Sequence, residues 1–126
     1  MPGLVYDAGA LLAAERRHRP LWALHEQSLA AGIRPIVPVM VLAQAWRGAP
    51  HANLSRFLRG CTVTPDTEEL GKAAGAICGR ARTSDVIDGL VVVTALRLDA
   101  LVVTSDPHDL QHLASALHSK LTLYTV

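Results

Sequence analysis

Aromatic side chains are scarce in this chain, at 4% of 126 residues: two Trp, two Tyr and one Phe. Trp22 and Trp46 stand at helical positions and read as core, so no stacking platform of the kind found in RNA-binding sheets is present. Cysteine is nearly absent too. Cys61 and Cys78 form no C-x-x-C and show no metal spacing, which excludes a disulfide framework and a zinc ribbon. The start, MPGLVYDAG, lacks the basic n-region and long apolar core of a signal peptide. Free thiols without an export signal predict the reducing cytoplasm. No long hydrophobic run occurs either. The most apolar stretch, Pro35 to Trp46, is interrupted by Pro38 and Gln44 and falls short of the ~20 residues of a membrane span.

Lysine is limited to Lys72 and Lys120, so ten of the twelve basic residues are Arg, the side chain suited to bidentate contact with phosphate or carboxylate. Net charge is almost absent, at +1. That sum conceals a split: Met1 to Val63 holds seven basic residues and three acids, whereas Thr64 to Val126 holds five and eight. Two readings of the split stay open, ordinary scatter or a negative pocket beside a positive surface. The nucleotide-phosphate motifs G-x-x-x-x-G-K-[ST] and G-x-G-x-x-G are missing, as is the G-x-S-x-G nucleophile elbow. His108 and His112 have i,i+4 spacing but lack the glutamate of H-E-x-x-H, which argues against zinc.

What is present is a 13.5 kDa chain, 50% apolar, with a mean hydropathy of +0.26. Such a chain buries a core without staples and is not disordered. Its length fits one domain, residues 1–126. Short apolar runs at Gly3–Asp7, Arg34–Pro38, Cys61–Thr64, Ala100–Thr104 and Leu121–Val126 predict strands. Helical spacing predicts helices over Ala8–Ala31 (broken at Pro20), Val39–Arg47, Asn53–Arg59, Thr67 towards Arg82, Val86–Leu98 and His108–His118. Leu11, Leu12, Leu21, Leu24 and Leu29 supply the apolar positions of the first of these. Alternating strands and helices of this kind predict a three-layer α/β/α fold around a central, mainly parallel sheet of about five strands.

Ligands in such sheets bind outside the carboxyl ends of the strands. Two predicted strands end there in aspartate, at Asp7 and Asp106. Asp85 and Asp88 share one helix face by their i,i+3 spacing, and Asp109 follows Asp106 by three residues. Each acid also has a local reading: Asp7 as a turn residue, Asp85 as an N-cap, Asp106 as an N-cap before Pro107, Asp109 as a solvated first-turn acid. Crowded carboxylates are unfavourable unless raised pKa values or a cation neutralise them, and the joint pattern predicts Mg²⁺ or Mn²⁺, hard cations that take oxygen ligands.

On these residues the sequence resembles the PIN-domain nucleases, in particular the VapC-like toxins of bacterial type II toxin–antitoxin systems. Val5-Tyr6-Asp7-Ala8-Gly9-Ala10-Leu11-Leu12 is similar to the family's first strand and first acid. The segment from Asp85 to Ala95 is similar to its acid-led central helix, with the principal acid at Asp88. Val102 to Leu110 resembles the motif that closes the site, with Asp106 and Asp109 as the remaining acids. One position departs: the family's glutamate on the helix after the second strand is matched by Gln44, which keeps an oxygen and loses a charge.

The resemblance implies a metal-dependent endoribonuclease, with Asp7, Asp88, Asp106 and Asp109 holding Mg²⁺ or Mn²⁺. It places Asp7, Asp88, Asp106 and Asp85 in the catalytic set, with Gln44, Thr104 and Ser105 positioning water or phosphate. It also implies a homodimer and a cognate antitoxin, in the cytoplasm and without a membrane. Arg16, Arg17, Arg19, Arg47, Arg56 and Arg59 are candidates for an RNA-binding rim, or are ordinary surface residues. The alternative, raised by Gln44, is a catalytically impaired module that binds RNA or a peptide. Receiver domains and haloacid-dehalogenase-type phosphatases fit poorly. Asp7 stands alone, no lysine follows a late strand, and Gly9 occupies the place of the phosphatases' second acid.

Overall fold

The computed structural model describes residues 1–126. Five strands form one sheet: β1 (Leu4–Tyr6), β2 (Ile36–Pro38), β3 (Thr62–Thr64), β4 (Leu101–Thr104) and β5 (Leu123–Thr125). Their order is β3-β2-β1-β4-β5 and every pairing is parallel. In register, Val5 pairs with Ile36 on one side and Val102 on the other. The chain therefore winds outward from β1 to β3, then returns to the opposite side of β1 for β4 and β5. That reversal puts a topological switch point between β1 and β4, where ligands of open parallel sheets bind.

Seven helices cover the sheet: α1 (Ala8–Glu15), α2 (Arg19–Ala30), α3 (Val39–Ala45), α4 (Ala52–Leu58), α5 (Glu68–Ala81), α6 (Val86–Leu98) and α7 (Pro107–Ser115). Helix α1 packs against α2, α3 and α4, while α5, α6 and α7 pack against one another. The sheet thus lies between two helical layers, as the alternating sequence pattern requires. Twenty-eight buried residues form one contiguous core, which includes all of β1. Helix α6 shows why its sequence reads apolar on nearly every side: Leu90 to Val93 and Ala95 are all buried. It meets the sheet on one side and α5 on another. A Cβ on its Gly89 would lie 3.0 Å from Cys78 Sγ and 3.1 Å from the Ala74 carbonyl oxygen, so only glycine lets α5 approach this closely.

Several boundaries differ from the sequence reading. Pro20 does not break the first helical stretch. The break lies at Arg16–His18, with Arg17 left-handed at φ 61°, and His18 caps α2 through Nδ1, which accepts from the Leu21 N–H at 3.3 Å. Pro20 sits in the first turn of α2, where a missing N–H costs nothing. Leu12 and Leu29 are exposed rather than in the core, and Trp46 is exposed as well. Helix α3 stops at Ala45 because Trp46 turns extended, at ψ 124°. Thr67 caps α5 as expected, accepting from the Leu70 N–H. Helix α7 ends at Ser115, short of His118, which is left-handed. No helix is long and apolar enough to cross a membrane.

Candidate functional site

Five aspartates come from three places around the switch point. Asp7 directly follows β1 and is 7% exposed. Its Oδ1 accepts the Ala10 N–H at 2.9 Å, and its own N–H extends the sheet to the Val103 carbonyl at 3.2 Å. The same carboxylate thus ends a strand and caps α1. Asp106 follows β4 and occupies the N-cap position of α7, but its side chain makes no capping bond. A purely local role as a cap is therefore excluded for Asp106. Its backbone N–H is held instead by Thr104 Oγ1 at 2.8 Å, and Thr104 is fully buried. Asp85 caps α6 by accepting from the Asp88 N–H at 3.3 Å. Asp88 and Asp109 lie in the first turns of α6 and α7.

These carboxyls perturb one another. Burial raises the pKa of Asp7, and the charge of Asp106 adds to this, against the Thr104 hydroxyl and the amides of Ala10 and Gly9. Asp88 is pushed up to about 7, first by burial, then by the charge and hydrogen bond of Asp85, with Asp7 and Asp109 adding to it. Asp109 is raised by its hydrogen bond to Asp106, then by the charge of Asp106. All five acids belong to one electrostatic cluster with Asp88 at its centre. Negative charges are concentrated here at a cost that a bound cation would relieve.

No three His, Cys, Asp or Glu side chains converge as a ready ligand set for one ion. The acids meet as neighbouring pairs. Mg²⁺ retains several waters and needs only one or two carboxylates, so such pairs of hard oxygen donors fit the ion chemically. A cavity of about 110 Å³ opens beside the cluster, lined by Thr83, Asp85, Asp88, Asp109, His112 and Leu113. His112 Nε2–H donates to the Ala81 carbonyl at 3.0 Å, which turns the other ring nitrogen into an acceptor when the ring is neutral. Thr83 and His112 were not singled out for this site by sequence. The signal for His112 was its place one turn after Asp109.

Gly9 sits where α1 meets the loop after β4. A Cβ there would lie 2.0 Å from Ser105 Oγ, 2.9 Å from Ser105 Cβ and 3.1 Å from its backbone nitrogen. Ser105 is thereby seated on the first turn of α1, beside Asp7. Gln44 is exposed on α3 and shares no hydrogen bond with the acids. The arginines do not line the acidic cavity. Arg17, Arg19 and Arg56 instead share a separate depression with Trp22, while Arg16, Arg47 and Arg59 lie outside both.

Solved structures match this chain in shape. A chain in the crystal structure of VapBC2 from Rickettsia felis, bound to a DNA fragment from their promoter, has a TM-score of 0.70 over 98% of this chain and 98% of that one, at 15% identity. This protein has a PIN-like fold. PAE2754 from Pyrobaculum aerophilum matches with a TM-score of 0.65 over 97% of this chain and 83% of that one, also at 15% identity. No protein-family model matches the sequence, and no curated protein matches it significantly. In this PIN-like fold the acids stand where the sheet topology alone would place a ligand, between the ends of β1 and β4.

Proposed function

We propose that this PIN-like protein is a Mg²⁺- or Mn²⁺-dependent endoribonuclease, and the toxin of a toxin–antitoxin pair in the bacterial cytoplasm. The observation that carries this reading is the cluster of five mutually repelling aspartates at the switch point, two of them on strand ends and one pushed up to about 7. Pairs drawn from Asp7, Asp88, Asp106 and Asp109 would hold the cation, with water filling its other positions. When bound, it lowers the pKa of a water and polarises a phosphodiester. Asp85 would orient the attacking water or take its proton. Thr104 fixes the backbone at Asp106, and Ser105 and Gln44 would position water or phosphate. The likeness to VapBC2, captured with a DNA fragment from its promoter, supports a cognate antitoxin. The apolar groove of Val39, Leu42, Ala43, Trp46 and Leu58 is a surface that a protein partner would cover, a second copy in a homodimer or the antitoxin.

The test is cleavage of single-stranded RNA by purified protein in Mn²⁺ against EDTA. Asp7→Asn and Asp88→Asn are expected to reduce cleavage by about a hundredfold or more, with unchanged circular dichroism. Absence of metal-dependent cleavage by the wild type sinks the enzymatic reading. The second reading, an impaired module that binds RNA or a peptide, rests on Gln44, which brings no charge to the cluster. It gains if wild type binds RNA without cutting it while Gln44→Glu cuts.

A further inference from the structure

At the end of α1 remote from Asp7 lies an open cavity of about 640 Å³, the largest in the molecule, lined by Arg17, Arg19, Trp22, Ala23, Glu26 and Arg56. Three guanidiniums meet one carboxylate there. None of the three takes part in an ion pair, since the ion pairs of the molecule are His51–Glu15, Lys72–Glu68 and Arg97–Glu69. The cavity therefore carries two more positive than negative charges, and arginine does not lose its charge at any physiological pH.

The aromatic wall of the cavity is held in place. Trp22 Nε1–H donates to the Ala14 carbonyl at 3.1 Å, and Phe57 meets the indole edge-on at 5.0 Å between ring centroids. The guanidinium of Arg56 lies 5.4 Å from the centre of the Trp22 ring, within cation–π range, and it donates to Asn53 Oδ1 at 3.3 Å. Arg17 occupies the left-handed position after α1 (φ 61°), where glycine is the usual residue. Its N–H is fixed by the Ala14 carbonyl at 3.1 Å. A guanidinium held against a fixed aromatic ring, with further arginines beside it, suits single-stranded nucleic acid: cations take the phosphates, and flat guanidinium or aromatic faces take the bases.

We infer that this cavity is an exosite for a phosphodiester segment of single-stranded RNA, separate from the acidic site. The inference rests on the proposed RNA substrate. A run of Asp or Glu would use the arginines alone, whereas each nucleotide pairs its phosphate with a base that stacks on Trp22 or Arg56, so nucleic acid is favoured. Helix α1, eight residues from Ala8 to Glu15, separates the two sites by about 12 Å. One strand of modest length therefore reaches both.

Binding is read separately from cleavage on the Asp7→Asn background, where asparagine keeps a capping oxygen for α1. The probe is a fluorescently labelled twelve-nucleotide single-stranded RNA, followed by anisotropy over a range of salt. Adding Arg17→Ala and Arg56→Ala together is expected to weaken binding about tenfold or more. The slope of log K against log salt should fall by about 1.4, two phosphate contacts at about 0.7 each. Trp22→Phe, checked for an unchanged melting temperature, should weaken binding without altering that slope. Equal affinity and slope in the double arginine variant overturns the inference, as does failure of the Asp7→Asn protein to bind the RNA. If a polyglutamate peptide binds through Arg17 and Arg56 while RNA binding ignores them, the cavity is a peptide site and the assignment falls. If wild type never cuts RNA yet binding depends on the arginines, the catalytic reading fails and the exosite stands.

Discussion

Single residues at this site carry two duties, and that is why some were legible in sequence. Asp7, Asp85 and Asp106 punctuate element ends, where short polar side chains are favoured for local reasons. The structure separates the two duties. Asp7 and Asp85 do cap helices, whereas Asp106 does not. Gly9 had no such signal, because its importance lies in what passes over it. Gly9→Ala would drive a methyl group to 2.0 Å from Ser105 Oγ, against backbone at 3.1 Å. Rotating the hydroxyl away is not enough, since Ser105 Cβ is also too near at 2.9 Å. The loop after β4 must shift, at about 1–3 kcal/mol, carrying Asp106 with it. Urea denaturation should show the loss, and cleavage should fall further than stability explains. An unchanged urea midpoint would mean that the loop moves freely and that Ser105 is not held by this contact.

At the scale of elements, strand and helix order was legible and the joints were not. Alternating apolar runs announce β1 to β5, but the α1–α2 joint depends on Arg17 adopting a left-handed conformation, which no local composition signals. Leu12 and Leu29 looked like core by spacing and are exposed, since periodicity gives a face without saying whether another element covers it. The α2–β1–α4 contact shows how the helical layer is locked. Tyr6 Oη bonds to His25 Nδ1 at 2.9 Å, and His25 stacks on Phe57 at 4.0 Å. Burial lowers the pKa of His25, against a hydrogen bond to the Phe57 backbone that raises it. Above the unfolded value of about 6.5, the imidazole is neutral in both states and the cluster is intact. As pH falls through 6.5 the unfolded chain takes the proton first, and stability drops until the lower folded value is passed. Urea midpoints at pH 7.5 and 5.5 should therefore differ more in wild type than in His25→Gln, which keeps an acceptor for Tyr6. An equal difference in both proteins would remove His25 from the acid response.

For the whole molecule, the near-zero net charge conceals an acidic cluster and a separate arginine-rich cavity. Four of the eight acids of the second half, Asp85, Asp88, Asp106 and Asp109, cluster with Asp7 at the switch point, while Arg17, Arg19 and Arg56 gather at the far end of α1. Sequence could count these charges and split them between halves. It could not place them, because chain order says nothing of the distance between Asp7 and Arg56 until α1 and α4 are packed. The consequence is a fold that carries repulsion at its site. Asp88 answers to Asp85, Asp7 and Asp109 as well as to burial, so the metal-free protein is destabilised by what would bind the cation. Removing one charge should make that visible. In EDTA, Asp88→Asn is expected to melt above wild type. With Mn²⁺ at about a hundred times its Kd, wild type should gain about 2.7 kcal/mol, about 10 °C for a domain of this size, while the variant gains little. Differential scanning calorimetry in both conditions decides the matter. If wild type does not respond to Mn²⁺, or Asp88→Asn responds equally, the acidic cluster is not where the cation binds. A variant that melts below wild type in EDTA would show that Asp88 supports the fold more than it strains it.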